Sequence, residues 1–161
     1  MNPKNSLLIA IDPGLRQMGW ALFKGPRLKA VGLTRASKTE KNLMRIAEEH
    51  SSQLPDAHLA VVEQMLTYRR KGYALPSVMQ LAHLAGYAAA LYESAELVPT
   101  TTWKGGMSKE DHHAWLWENL PPADRKVLKK SLPDFPERLQ HNILDAVGLG
   151  FWYVSQEEIS G

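Results

Sequence analysis

At 161 residues, with a net charge of only +2 and apolar and charged fractions of 44% and 22%, the chain has the make-up of one soluble globular domain, residues 1–161, with room for a core. It has no cysteine, which excludes disulfides and cysteine-based metal sites and is compatible with a reducing compartment. No apolar stretch reaches the roughly 18 residues of a membrane span, and MNPKNS lacks the layout of a secretory signal, so a cytoplasmic location and no membrane partner are expected.

Residues 6–12, 18–24 and 28–34 read as three short strands, linked by Pro13-Gly14 and Gly25-Pro26 turns. Ser37-Lys-Thr-Glu40 has the spacing of a capping box, which predicts a helix from there to about Gln53, broken by Pro55-Asp56. HLAVVE, 58–63, is a fourth strand. TYRRKGYAL, 67–75, is a polar basic loop. Ser77-Val-Met-Gln80 is a second capping box, opening a helix to about Ser94 that is apolar around much of its surface. One sheet face cannot cover all of it, so a second surface is implied, with a partner subunit as its natural source. Residues 96–98 form a brief strand ended by Pro99. Ser108-Lys-Glu-Asp111 opens a helix through Leu120, stopped by Pro121-Pro122. A basic segment follows to Pro133, and a last helix runs from Asp134 to about Val154. A three-strand meander followed by strand–helix alternation predicts an α/β fold: a five-stranded mixed sheet, three antiparallel then two parallel strands, with helices on both faces.

Charge is unevenly spread. Nine Lys or Arg lie between Lys4 and Arg45 against Asp12 and Glu40, and Arg69, Arg70 and Lys71 stand together. Such patches suit a polyanion, although solvated faces of ordinary elements look the same.

Three carboxylates sit where the apolar pattern least needs them. Asp12 ends the first strand in LLIAIDPGLRQMGWALF. Glu63 ends the fourth. Asp145 interrupts the apolar run of HNILDAVGLGFW. On that helix Asn142 lies about 60° to one side of Asp145 and His141 about 40° to the other. If the first and fourth strands are parallel neighbours, Asp12 and Glu63 emerge at one sheet end. Two carboxylates about 4 Å apart repel by roughly 4 kcal/mol at an effective dielectric of 20, so the cluster needs a cation or a proton. Hard oxygen ligands favour Mg²⁺, with Mn²⁺ as substitute, and such ions beside basic patches point to phosphate chemistry. Each acid also has a plainer reading: Asp12 as a turn former, Glu63 as a solvent-facing strand end, Asp145 as the partner of a lysine.

Together these stretches resemble the RuvC-type Holliday junction resolvases of the RNase H-like superfamily, over nearly the whole chain and in order. IDPGLRQMGWAL resembles the family's first strand and hairpin, which implies a catalytic aspartate at Asp12. VVEQM resembles the strand with the catalytic glutamate, here Glu63. LVPTTTWKGGMSKED resembles the region with DNA-contacting basic residues, here Lys104 and Lys109. HNILDAVGLG resembles the closing helix with the last aspartate, here Asp145. The chain departs from the pattern at Asn142, where the family usually has Asp or His, with His141 one residue earlier. The resemblance implies Asn142 as the fourth ligand by position and His141 as its chemically active neighbour. It departs again at the junction wedge, where Leu66 replaces an aromatic residue and Tyr68 follows.

The resemblance implies a homodimer that cuts two strands of a four-way DNA junction with two metal ions per site, and the over-apolar helix at 77–94 agrees with this as its interface. The products are 5′-phosphate and 3′-hydroxyl ends. Arg69, Arg70, Lys71, Lys104 and Lys109 would grip backbone phosphates. The compact chain suits a version from a phage or other mobile element, acting in the cytoplasm of a bacterial cell or infected host. Three other readings stay open on the sequence: a broader endonuclease for flaps and forks, a non-catalytic junction-binding protein, and an ATPase of the actin-like or sugar-kinase type. The last shares the Asp12–Gly19 spacing but needs two such domains.

Overall fold

The structure, a computed structural model, describes residues 6–65 and 75–160. Five strands form one sheet in the order β3-β2-β1-β4-β5. They are β1 (Leu7–Asp12), β2 (Gln17–Lys24), β3 (Arg27–Arg35), β4 (Leu59–Gln64) and β5 (Ser94–Pro99). β1, β2 and β3 pair antiparallel, while β4 pairs parallel with both β1 and β5. This is the mixed sheet that the sequence predicts.

Strand alternation sorts the apolar side chains into two cores. Leu8, Ala10, Ala21, Phe23, Val61 and Val98 face one layer. It holds α4 (Lys109–Asn119), α5 (Pro122–Ser131) and α6 (Gln140–Ser160). Ile9, Ile11, Met18, Ala60 and Val62 face the other, with α1 (Leu43–Ser51) and α2 (Leu75–Ala90). A four-residue helix, α3 (Thr100–Trp103), follows β5 directly. Among the described residues no helix is long and apolar enough to cross a membrane.

Several element boundaries differ from the sequence reading. α1 opens at Leu43 rather than at Ser37. Asn42 is its cap, with its side chain accepting from the Met44 and Arg45 N–H groups. The Ser37–Glu40 stretch has other partners. Arg16 donates to the Ser37 carbonyl and, at 2.9 Å, to that of Glu40. The Glu40 carboxylate accepts from the N–H groups of Lys41 and Asn42. Ser77 lies inside α2, which starts at Leu75 and ends at Ala90. The basic segment after Pro121 is helix α5. Pro122 sits in its first turn, where a missing N–H breaks no bond, and Lys129 and Lys130 sit in its last turn, where the helix dipole favours cations. α6 begins at Gln140, after two 3₁₀ turns, Leu132–Asp134 and Glu137–Leu139. The Ser108 box holds: its side chain accepts from the Asp111 N–H at 3.1 Å and caps α4.

α2 is covered on one side only. Leu84, Ala85 and Ala88 are buried on the sheet, while Met79, Ala82, Gly86 and Ala90 form an exposed stripe along the helix.

Gly19 decides how α6 reaches the sheet. It pairs with Asp12 across β1 and β2. A Cβ there would lie 2.0 Å from the main-chain oxygen of Asn142. The backbone of α6 therefore rests on the backbone of β2. Gly19→Ala is expected to destabilise the protein by about 1–3 kcal/mol, read by thermal denaturation. Gly86→Ala has no atom within 4 Å of the added carbon, and should be neutral or stabilising by up to about 1 kcal/mol.

Candidate active site

The alternation that places Leu8 and Ala10 under α6 continues to Asp12, at the end of β1. The same alternation carries Val61 on to Glu63, at the end of β4. Ile11 pairs with Val62 in the parallel register, so the two carboxylates leave the sheet at one level and on one face. α6 lies across that face with Asn142 on Gly19, and one turn later it presents Asp145, which is buried. Three elements distant in sequence thus meet at one point.

The three acids are not equivalent. Burial holds the Asp12 carboxyl well above its ordinary range, and repulsion from Glu63 and Asp145 adds to the rise against the weaker pull of Lys109 and Lys104. Burial also raises Glu63. Opposing it, the Thr100 hydroxyl donates to Glu63 Oε1 at 2.9 Å, and the Trp103 indole lies near enough to pull the same way. That indole N–H meets no acceptor at hydrogen-bonding geometry. Burial pushes Asp145 upward too, but its bond to His113 and the two lysine charges outweigh this and hold it below the usual carboxylate value. Lys104 Nζ stands 3.3 Å from Oδ1, Lys109 Nζ 3.5 Å from Oδ2, and His113 Nε2 2.9 Å from Oδ1.

Burial and repulsion thus outweigh the stabilising neighbours of two carboxylates, beside a third that has cations of its own. Asp12, Glu63 and Asp145 offer oxygens of the kind that hard divalent cations take, and a cation beside Asp12 and Glu63 would relieve their raised protonation, but among the described residues the group whose ligand atoms all lie within 4.8 Å of one another is His112, His113 and Asp145.

Of the other residues singled out from the sequence, Lys104 and Lys109 reach the site, where they bind Asp145 instead of standing free. The plain reading of Asp145 as the partner of a lysine thus describes its contacts here. Asn142 touches β2 through its main chain. His141 is half-buried, and burial first, then Lys109, holds its imidazole toward the neutral form. Leu66, Tyr68, Arg69, Arg70 and Lys71 lie outside the described residues.

Sequence reasoning missed His112, His113, Thr100 and Trp103. His112 is buried, its ring 4.9 Å from that of Trp103 and edge-on to it, and burial followed by the Lys104 charge pushes its pKa down to about 4. A Cβ on Gly148 of α6 would meet His112 Cε1 at 2.3 Å, so this glycine makes the recess for the ring. The signal available in the sequence was the adjacent pair in KEDHHAWLW. At helical spacing it places His112 with the buried Leu116 and leaves His113 at the edge of that face.

No protein-family model matches the chain, and no curated protein resembles it in sequence. Solved structures do. RuvC from Thermus thermophilus superposes with a TM-score of 0.63 at 14% identity, covering 96% of each chain. The chain has the RuvC fold. The yeast mitochondrial Holliday junction resolvase Ydc2 gives 0.60 at 12% identity, over 94% of this chain and 78% of that one. The fowlpox virus Holliday junction resolvase gives 0.56 at 13%, over 93% and 98%. At these identities the likeness fixes the RNase H-like architecture.

Removing the Asp12 charge relieves repulsion in the metal-free protein. Asp12→Asn is expected to raise stability in EDTA at neutral pH by on the order of 1 kcal/mol, or 2–4 °C in Tm for a chain of this size. The folded-state pKa lies above the ordinary value of 3.8, so the wild type takes up a proton on folding as pH falls through the folded value. The gap between the two proteins should be full above the folded-state pKa and close as pH is lowered through it toward 4. Paired thermal melts across that range check it.

Proposed function

We propose that this chain is a divalent-metal-dependent, structure-selective DNA endonuclease that resolves four-way junctions. The observation that carries the reading is the convergence of Asp12, Glu63 and Asp145 at one end of a RuvC-fold sheet, with two of the three strained by burial and mutual repulsion. Two of the similar structures, T. thermophilus RuvC and the fowlpox virus resolvase, have been solved with Holliday junction substrate.

Mg²⁺ or Mn²⁺ held by Asp12, Glu63 and Asp145 would supply Lewis-acid stabilisation to an in-line attack of water on the scissile phosphate, giving 5′-phosphate and 3′-hydroxyl ends. The protein's own part is positioning. The rigid ends of β1 and β4 fix two carboxylates, and α6 fixes the third. Thr100 orients the Glu63 oxygen that it binds. Lys104 and Lys109 neutralise Asp145 without metal and, once replaced there, stand beside the phosphate path. His141, held neutral, is available to take a proton. Arg69, Arg70 and Lys71 complete the grip on the backbone.

A second copy of the chain is the proposed occupant of the α2 stripe at Met79, Ala82 and Gly86, where small residues permit close approach. Two sites related by a twofold axis would nick a junction symmetrically. One observation favours a non-cutting alternative, in which the protein binds junctions only: the two lysines already balance Asp145.

Cleavage of a mobile four-way junction in Mg²⁺, with each strand's products mapped, separates these readings, and forks and flaps in parallel give the substrate range. Paired nicks are expected, with Asp12→Asn, Glu63→Gln and Asp145→Asn each lowering the rate by about a hundred- to a thousandfold, because each weakens the hold on the cation that stabilises the reacting phosphate. Binding without any cut would sink the catalytic reading. Junction affinity should fall steeply with salt as counterions are released. Gly86→Arg should convert a dimer in sedimentation velocity to a monomer, and an unchanged oligomeric state would remove α2 from the interface.

A further inference from the structure

Resting on the metal-dependent reading above, we propose that His113 is itself a ligand of the cation at Asp145, making this a mixed nitrogen–oxygen site that takes Mn²⁺ in preference to Mg²⁺. Among the described residues, His112, His113 and Asp145 are the group whose ligand atoms all lie within 4.8 Å of one another. Within it, His113 Nε2 and Asp145 Oδ1 stand 2.9 Å apart. Two adjacent ligands of an octahedral ion, each bonded at roughly 2.1 Å, are separated by about 3 Å. The pair is already spaced to share one cation.

The position is built. Ser108 caps α4 at its first turn, and His112, the next residue along from His113, is wedged between Trp103 and the recess at Gly148. That wedge fixes the angle from which His113 approaches α6. The His113 side chain is only 16% exposed, whereas that of Lys109, on the other carboxylate oxygen, is 43% exposed. Lys109 can therefore leave toward solvent when a cation arrives, while His113 stays, as does Lys104, whose side chain is 12% exposed and whose Nζ stands 3.3 Å from the same Oδ1. Nitrogen donors favour later divalent ions over Mg²⁺, which takes oxygen almost exclusively.

The rival role for His113 is a hydrogen bond that orients Asp145 from outside the coordination sphere, a common arrangement around metal sites. Pulsed electron paramagnetic resonance of the full-length protein loaded with Mn²⁺, without DNA, separates the two. Directly bound imidazole nitrogen is expected in the wild type, and labelling the histidines with ¹⁵N should change its modulation pattern. The signal should vanish in His113→Gln and persist in His112→Gln and His141→Gln. Titrations should show Mn²⁺ binding weakened about tenfold in His113→Gln and Mg²⁺ binding by less than about threefold, within the range that ligand-shell changes produce. Mn²⁺ bound with no nitrogen coupling, or coupling that survives His113→Gln, overturns the proposal and leaves the carboxylate site standing. Mn²⁺ binding that is absent from the wild type, or unaffected by Asp12→Asn and Asp145→Asn, overturns the metal site and the proposal with it.

Discussion

At Gly19 the main-chain oxygen of Asn142 lies where a Cβ would be, and the place of α6 on the sheet, with Asp145, follows from that contact. Because Gly19 is the cross-strand partner of Asp12, the closest approach of helix to sheet occurs beside the first carboxylate. One turn of α6 then carries Asp145 to the same point. Gly148 repeats the device on the helix, admitting His112 from α4. Two absent side chains thus set the separation of three elements, and the carboxylates inherit their positions from backbone packing. A site built this way tolerates little drift, since a close-packed backbone has no rotamers with which to absorb a shift.

The electrostatics divide the acids by their surroundings. Asp145 is held charged by two ammonium groups and a histidine, while on Asp12 and Glu63 burial and repulsion outweigh the pull of the lysines and of the Thr100 hydroxyl. One arrangement thus contains both a satisfied anion and a frustrated pair. On the proposed reading the frustrated pair is what would make the site receptive to a cation, and it detracts from the stability of the metal-free fold. The same residues would serve stability better as amides, which is the usual conflict between function and stability at a polar site.

The sheet was legible because strands are short, apolar and bounded by Pro and Gly, and because a meander followed by strand–helix alternation admits few topologies. The three acids were legible as breaks in apolar runs. Helix starts were less so. Ser37–Glu40 has capping-box spacing but is bound by Arg16, a residue far away in sequence, and a local motif carries no trace of such a competitor. α5 was hidden by its prolines, which read as a stop yet suit a first turn. A lysine partner for Asp145 was legible as one reading, but which lysine was not: Lys104 and Lys109, read as phosphate contacts, meet Asp145 only through folding. His113 was invisible as part of the site because its importance arises from the packing of α4 on α6, which no spacing within KEDHHAWLW encodes.

The order in which these pieces lie along the chain has a consequence for the life of the protein. Asp12 is near the start, Glu63 is in the middle, and α6 closes the sheet at the far end. Contacts between such distant segments form late in folding, since long loops must close before they add stability. A nascent or partly folded chain can hold the β1–β3 meander, and even β4, without bringing Asp145 near them. On the proposed activity, the ability to cut DNA would therefore be withheld until synthesis and folding are finished. A half-made copy would be harmless to the genome around it.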